Sequence, residues 1–208
     1  MPLVKNTETT ISEEEYLDGE LISELKHEYI DGFVYAMAGA SAKHNSICMN
    51  IANSLFNELK KRGSPCRVFS SDMKVKISDL INSFFYPDVM VVCDIDNKDE
   101  DDYYQSSPAI IVEVLSKSTR KNDLSTKKLT YFNIPTLQEY VLIEQDLCEI
   151  NVFRKSDDWR PSIYFLGDEI SFESINTTIS VEDIYYQVNN EDSVKYLKDK
   201  EEKEEDRK

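Results

Sequence analysis

Apolar and polar positions change rhythm several times along the chain, and each change marks an element. Ser12 followed three residues later by Glu15 has the pattern of a capping box, in which a hydroxyl and a carboxylate satisfy each other's backbone donors. It opens a first amphipathic helix that runs to about His27. "EYIDGFVYAMAG" then sets an Asp-Gly pair between two apolar-aromatic runs, the strongest short-range signal for a β-hairpin. Ser41 can cap a second helix through Leu59, with Ile47, Ile51, Leu55 and Leu59 on one face and Gly63 at or just beyond its end.

Two strand-like runs follow, "CRVFSSDMKVKI" and "FFYPDVMVVC", separated by the turn-rich "SDLINS". In "PAIIVEVLSKST" the stretch Ala109 to Leu115 is almost continuously apolar, too short and too β-branched for a helix, and predicts an interior strand. A third helix is expected from roughly Asp123 to Phe132, ended by Pro135. "EYVLI" and "EINVFRK" read as two more strands and "SVEDIYY" as a short helix. The sequence therefore predicts an α/β chain with a mixed sheet and helices on its faces. Residues 1–190 form one domain in this reading, and 191–208 a charged tail, either disordered or an exposed helix.

At 208 residues, 40% hydrophobic and 31% charged, the chain can bury a sizeable core. It opens on no secretory signal and contains no apolar run of the roughly 18 residues a membrane span needs, so no membrane association and a cytoplasmic location are expected. Cys48, Cys66, Cys93 and Cys148 lack paired spacing, which predicts small core residues rather than a thiolate metal site or a disulfide framework. The formal charge of −16 argues against a generic nucleic-acid coat. That charge is uneven. "DIDNKDEDD" at 94–102 carries a net −5 and reads as a solvated loop, whereas Lys117 to Lys128 holds five bases against the single Asp123.

The candidate chemistry begins with Glu113, which interrupts the apolar strand. A carboxylate taken out of water without a partner costs several kcal/mol or gives up its charge. Alternation places Ala109, Ile111, Glu113 and Leu115 on one face. Asp88, after Pro87, likewise leads into the apolar run Val89 to Val92. If the two strands are neighbours, the two acids converge, and a divalent cation holds such a pair most cheaply. All-oxygen ligands suit Mg²⁺ or Mn²⁺. The alternative for Glu113 is a buried Lys or Arg partner. Asp123 and Lys127 share a helix face with Tyr131, and a helix leaving the end of the Glu113 strand can fold back to bring Lys127 toward the carboxylates. Asp72 reads as a surface acid, Asp31 as a turn residue, and His27 and His44 as structural, without metal-ligand spacing.

The ordered set "HEYIDG", "YPDVMVV", "IIVEVLSKST", "DLSTKKLTY" and "IPTLQEYVLI" resembles the Uma-type restriction endonuclease family of the PD-(D/E)XK nuclease superfamily, over roughly residues 10 to 155. The resemblance implies a restriction-endonuclease-like core and a metal-dependent endodeoxyribonuclease. Asp88 and Glu113 would be the metal ligands for one or two Mg²⁺ (or Mn²⁺) ions, with DNA as the partner. The superfamily pattern sets its lysine two residues after the glutamate, where this chain has Leu115. In this branch the following helix supplies the lysine, at Lys127, with Lys128 beside it as the other candidate. The resemblance also implies that Glu28, at the end of the first helix, is an auxiliary acid of the catalytic set. Double-strand cleavage by a single site would favour a homodimer. Two other readings fit the same residues: a nuclease-fold protein without chemistry that serves in binding or assembly, and a metal-dependent phosphoesterase acting on a small substrate, which suits the negative charge.

Overall fold

A computed structural model describes residues 4–5, 10–78, 81–93, 102–116, 120 and 123–205. The acidic run at 94–101 and the positions 117–119 and 121–122 lie outside the described residues. The strands are β1 (Val4–Lys5), β2 (His27–Ile30), β3 (Phe33–Ala36), β4 (Arg67–Ser70), β5 (Lys74–Lys76), β6 (Ser83–Phe85), β7 (Val89–Val92), β8 (Tyr104–Gln105), β9 (Pro108–Leu115), β10 (Glu139–Glu144), β11 (Glu149–Arg154), β12 (Pro161–Phe165), β13 (Glu169–Phe172) and β14 (Thr177–Ser180). Helices are α1 (Glu13–Ile22), α2 (Ala42–Lys61), α3 (Lys128–Tyr131, preceded by a π-helical turn at Asp123–Lys127), α4 (Val181–Ile184) and α5 (Glu191–Glu205).

The expected mixed α/β architecture is present, but its strands divide between two six-stranded sheets and a small hairpin. The first sheet has the order β1-β3-β2-β6-β5-β8, the second β12-β11-β10-β9-β7-β4, and β13 pairs with β14. Each of the two long strand-like runs splits between the sheets. The chain leaves β4 through Ser71, at φ 59°, to reach β5, and leaves β6 through Tyr86, Pro87 and Asp88 to enter β7. Between β6 and β7 the apolar character hides the break, because both halves are buried.

In the second sheet β9 and β10 run parallel, with Leu142 opposite Glu113, and the helical segment 123–131 is their crossover. One face of this sheet packs on α2. Ile47, Ile51, Leu55 and Leu59 are buried against Val89, Val91, Ile110 and Val112, and each such side chain contributes about 1.5–3 kcal/mol by leaving water. The opposite face meets the first sheet and the crossover: Met90, Val92, Ile111 and Leu115 pack with Val75, Phe85, Tyr131 and Tyr140. Ile111 and Leu115 therefore lie on the Glu113 face, as alternation predicts.

The capping box of α1 is formed, with Glu15 N–H donating to Ser12 Oγ at 3.1 Å and Ser12 N–H to Glu15 Oε2 at 2.8 Å. Two expectations for this helix fail. It ends at Ile22 rather than His27, because His27 to Ile30 pair with β3 and β6 instead, and Tyr16 is its one buried residue. The hairpin turn is at Asp31 and Gly32, with φ of 47° and 87°, the left-handed pair that a two-residue turn requires. The charged tail is helical from Glu191 to Glu205.

The cysteine expectation is corrected as well. Cys66 and Cys93 form a disulfide, while Cys48 and Cys148 are free and buried. A separation of 27 residues gives no hint of pairing, yet Arg67 lies opposite Val92 in the β4–β7 ladder, so Cys66 and Cys93 are the next facing positions.

Candidate active site

Asp88 and Glu113 are brought together by strand register. Val89 faces Val112 in the antiparallel β7–β9 pair, and the ladder continued by one residue sets Asp88 opposite Glu113. Directly opposed positions project to one face, with Cβ atoms about 4.5–5.5 Å apart. Asp88 Oδ2 accepts the Val114 N–H at 2.7 Å, which anchors the carboxylate beside Glu113. Its backbone carbonyl accepts from Ser71 N–H at 3.0 Å, so the residue is fixed where the chain passes between the sheets. The Asp88 side chain is 20% exposed and that of Glu113 only 4%, which makes Asp88 the outer member of the pair.

Beneath them is a buried ionic cluster. Lys127 Nζ lies 2.7 Å from Glu28 Oε1, 3.2 Å from Glu113 Oε1 and 3.7 Å from Asp123 Oδ1. Tyr131 Oη donates to the same Glu113 Oε1 at 2.8 Å, and Tyr140 Oη donates to the Asp123 carbonyl at 3.1 Å. Burial raises the Glu113 carboxyl well above the ordinary range; Lys127 opposes this and the negative charges of Asp123 and Asp88 reinforce it. For Lys127, burial works against the charge, but Glu113, Glu28 and Asp123 together more than offset it and hold the ammonium well above its ordinary pKa. Glu113 thus has the buried lysine partner that sequence reasoning offered as the alternative to a cation, and that partner is the lysine assigned to the chemistry.

Glu28 comes from β2, in the first sheet, and not from the end of the first helix. Of the two adjacent lysines, Lys127 enters the cluster, while Lys128 Nζ sits 3.9 Å over the Phe153 ring and its pKa is lowered by burial. Asp123 begins the helical crossover as expected and also belongs to the cluster. Asp72 is exposed and paired with Lys26. His27 is held by Glu20, whose Oε1 accepts its backbone N–H at 2.7 Å.

His44, which the sequence suggested was structural, stands beside Asp88, a placement that its sequence position does not announce. Its Nε2 is 3.2 Å from Asp88 Oδ2, and its Nδ1 is 3.4 Å from Cys48 Sγ. Burial pulls the imidazole pKa down, but the bond to Asp88 and its negative charge leave it raised. Burial, with help from Asp88 and Glu113, pushes the Cys48 thiol up. The ligating atoms of His44, Cys48 and Asp88 lie within 4.8 Å of one another. The one sequence trace of this is the His-x-x-x-Cys spacing on the first turns of a helix, a common pattern that says nothing of Asp88.

The donor set fits a hard divalent cation. Among the described residues, the hydrogen bonds of Asp88 fall on Oδ2 and those of Glu113 on Oε1, so each carboxylate retains one oxygen. The acids of the cluster also outnumber its single lysine, and the surplus negative charge favours a bound cation.

A mixed second sheet with a helical crossover between its parallel strands β9 and β10, packed on α2, is the restriction-endonuclease-like fold, and this is the fold of the chain. A crystal structure described as "a putative nuclease belonging to DUF820" from Anabaena variabilis superposes with a TM-score of 0.64 at 17% identity, covering 80% of this chain and 93% of that one. The model of the Uma2 family, described as "Putative restriction endonuclease", matches residues 13–182, and the chain belongs to that family. Two uncharacterized Synechocystis proteins are similar along most of their length. One, slr1290, is 36% identical over 84% of this chain and 91% of its own length; the other, sll1609, is 36% identical over 75% and 87%. Among the described residues, no helix is long and apolar enough to cross a membrane.

Proposed function

We propose that this protein is a Mg²⁺- or Mn²⁺-dependent endonuclease that hydrolyses phosphodiester bonds in DNA, with Asp88 and Glu113 as the metal ligands. The observation that carries this reading is the convergence of Asp88, Glu113 and Lys127 from three different elements at the seam between the sheets. A divalent cation bound by these carboxylates would supply Lewis acidity toward the scissile phosphate and toward an attacking water.

The protein's own groups divide the remaining work. Asp88 is fixed through the Val114 N–H, which orients its carboxylate for the cation. Glu113 is oriented by Tyr131 and Lys127, which hold one of its oxygens and leave the second to the cation. The Lys127 ammonium stays charged because its carboxylate neighbours outweigh burial, so it can orient the water or balance charge that develops on the phosphate. Glu28, 2.7 Å from Lys127, keeps that ammonium in place and acts as the auxiliary acid.

Incubation of supercoiled plasmid with purified protein in Mg²⁺ or Mn²⁺, beside Glu113→Ala, tests this. Nicked or linear product from the wild type alone is expected. Equal cleavage by both proteins refutes the reading, as does hydrolysis confined to a small phosphodiester such as bis(p-nitrophenyl) phosphate.

A further inference from the structure

We propose that His44 is a nitrogen ligand of the cation held at Asp88, which makes the centre a mixed imidazole–carboxylate site that prefers Mn²⁺ to Mg²⁺. The inference rests on Asp88 binding the cation, as proposed above, but not on any cleavage activity.

Three observations carry it. First, His44 Nε2 stands 3.2 Å from Asp88 Oδ2. That contact is a hydrogen bond while no ion is bound, and neighbouring donors on a six-coordinate ion with ligand bonds of about 2.1 Å are about 3.0 Å apart, so an ion that replaces the ring proton finds Nε2 and Oδ2 already spaced as two of its ligands. Second, the other ring nitrogen is occupied: Nδ1 faces Cys48 Sγ at 3.4 Å, one helical turn on. With Nε2 on the cation, the ring proton sits on Nδ1 and points at that sulfur, the kind of outer contact that fixes the orientation of a ligating imidazole. Third, the backbone that carries the imidazole is anchored at the start of α2. Ser41 caps α2 three residues earlier, accepting His44 N–H at 3.1 Å, and Ser41 Oγ is itself 2.6 Å from Gln145 Oε1 at the end of β10.

Cys48 is buried and its Sγ faces Nδ1, the ring nitrogen turned away from Asp88 Oδ2, so the sulfur is assigned the outer position. One imidazole among oxygen donors shifts selectivity toward first-row transition ions, because nitrogen ligation gains more with Mn²⁺ than with Mg²⁺. A preference of this kind is absent from the all-oxygen site that Asp88 and Glu113 would form alone.

The test uses the full chain stripped with EDTA and loaded with Mn²⁺. Electron spin-echo modulation of the bound Mn²⁺ reports directly coordinated ¹⁴N, and calorimetry reports Mn²⁺ and Mg²⁺ affinity. The wild type should show imidazole ¹⁴N coupling. His44→Gln should lose the coupling and bind Mn²⁺ on the order of 10–100-fold more weakly, with a smaller loss for Mg²⁺. Cys48→Ala should keep the coupling, and Asp88→Asn should lose the ion. Bound Mn²⁺ without ¹⁴N coupling in the wild type overturns the proposal even if no variant folds, and leaves the nuclease reading intact with His44 as a hydrogen-bond partner of Asp88. Coupling without plasmid cleavage would instead sustain the nitrogen ligand and refute the nuclease reading.

Discussion

Replacing Lys127 with methionine keeps the length of the side chain and removes its charge, so the variant isolates what the ammonium does for the fold. In the wild type its Nζ lies 2.7, 3.2 and 3.7 Å from carboxylate oxygens of Glu28, Glu113 and Asp123. At an effective dielectric near 20, charges at such separations attract by roughly 4–6 kcal/mol per pair. Most of that is returned when the buried ammonium no longer has to be desolvated and a carboxyl can take up a proton. The expected net loss is that of a broken buried ion pair, about 3–5 kcal/mol, or a fall in Tm on the order of 10 °C.

The loss must also depend on pH. The folded Glu113 carboxyl is already raised above 4.5, and removing the lysine takes away the charge that opposes this. A carboxyl with a folded pKa above its unfolded one binds its proton more tightly when folded. Its contribution is present below the ordinary carboxylate range and is lost as pH rises through the folded value. Urea unfolding of Lys127→Met in EDTA should therefore show a larger deficit at pH 8 than at pH 5, with Lys128→Met, which removes a charge outside the cluster, showing the smaller effect. A deficit of equal size at both pH values, or one within about 0.5 kcal/mol of zero, would refute the ionic origin of the cluster's stability.

Gly32→Ala should destabilise by about 1–3 kcal/mol, since a Cβ there meets Thr10 Cβ at 2.9 Å on a backbone at φ 87°; an unchanged urea midpoint would contradict the turn assignment. Alkylation of the unreduced, unfolded chain should label Cys48 and Cys148 only, and Cys66→Ala combined with Cys93→Ala should cost about 3–4 kcal/mol through loop-closure entropy. Labelling of all four thiols would remove the disulfide.

What could be read in advance was whatever neighbouring residues decide among themselves. The Ser12–Glu15 capping box, the Asp31-Gly32 turn and the apolar face of α2 are local, and each formed where expected. The face of Glu113 followed from alternation alone. The end of α1, by contrast, depends on β3 and β6 competing for His27 to Ile30, which no window around His27 contains. The break after β6 was invisible for a related reason: apolarity reports burial, not the sheet in which a strand is buried. Cys66 with Cys93 and His44 with Asp88 are contacts between distant segments, settled by register and by where α2 begins. Spacing rules suited to a single helix or loop cannot find them. Asp88 with Glu113 was accessible only because two acids broke the hydrophobic pattern of strands that prove to be neighbours.

The seam on which these residues meet carries a consequence for how the protein can vary. Glu28 belongs to one sheet and Glu113 to the other, and Phe85, Tyr131 and Tyr140 fill the space around them. Those rings act as shims: their bulk sets the gap between the acids, much as spacers set the gap of a vice. A ring trimmed or enlarged there would retune the distance across which charge is shared without altering any charged group, so the fine adjustment of this centre is written in its aromatic residues.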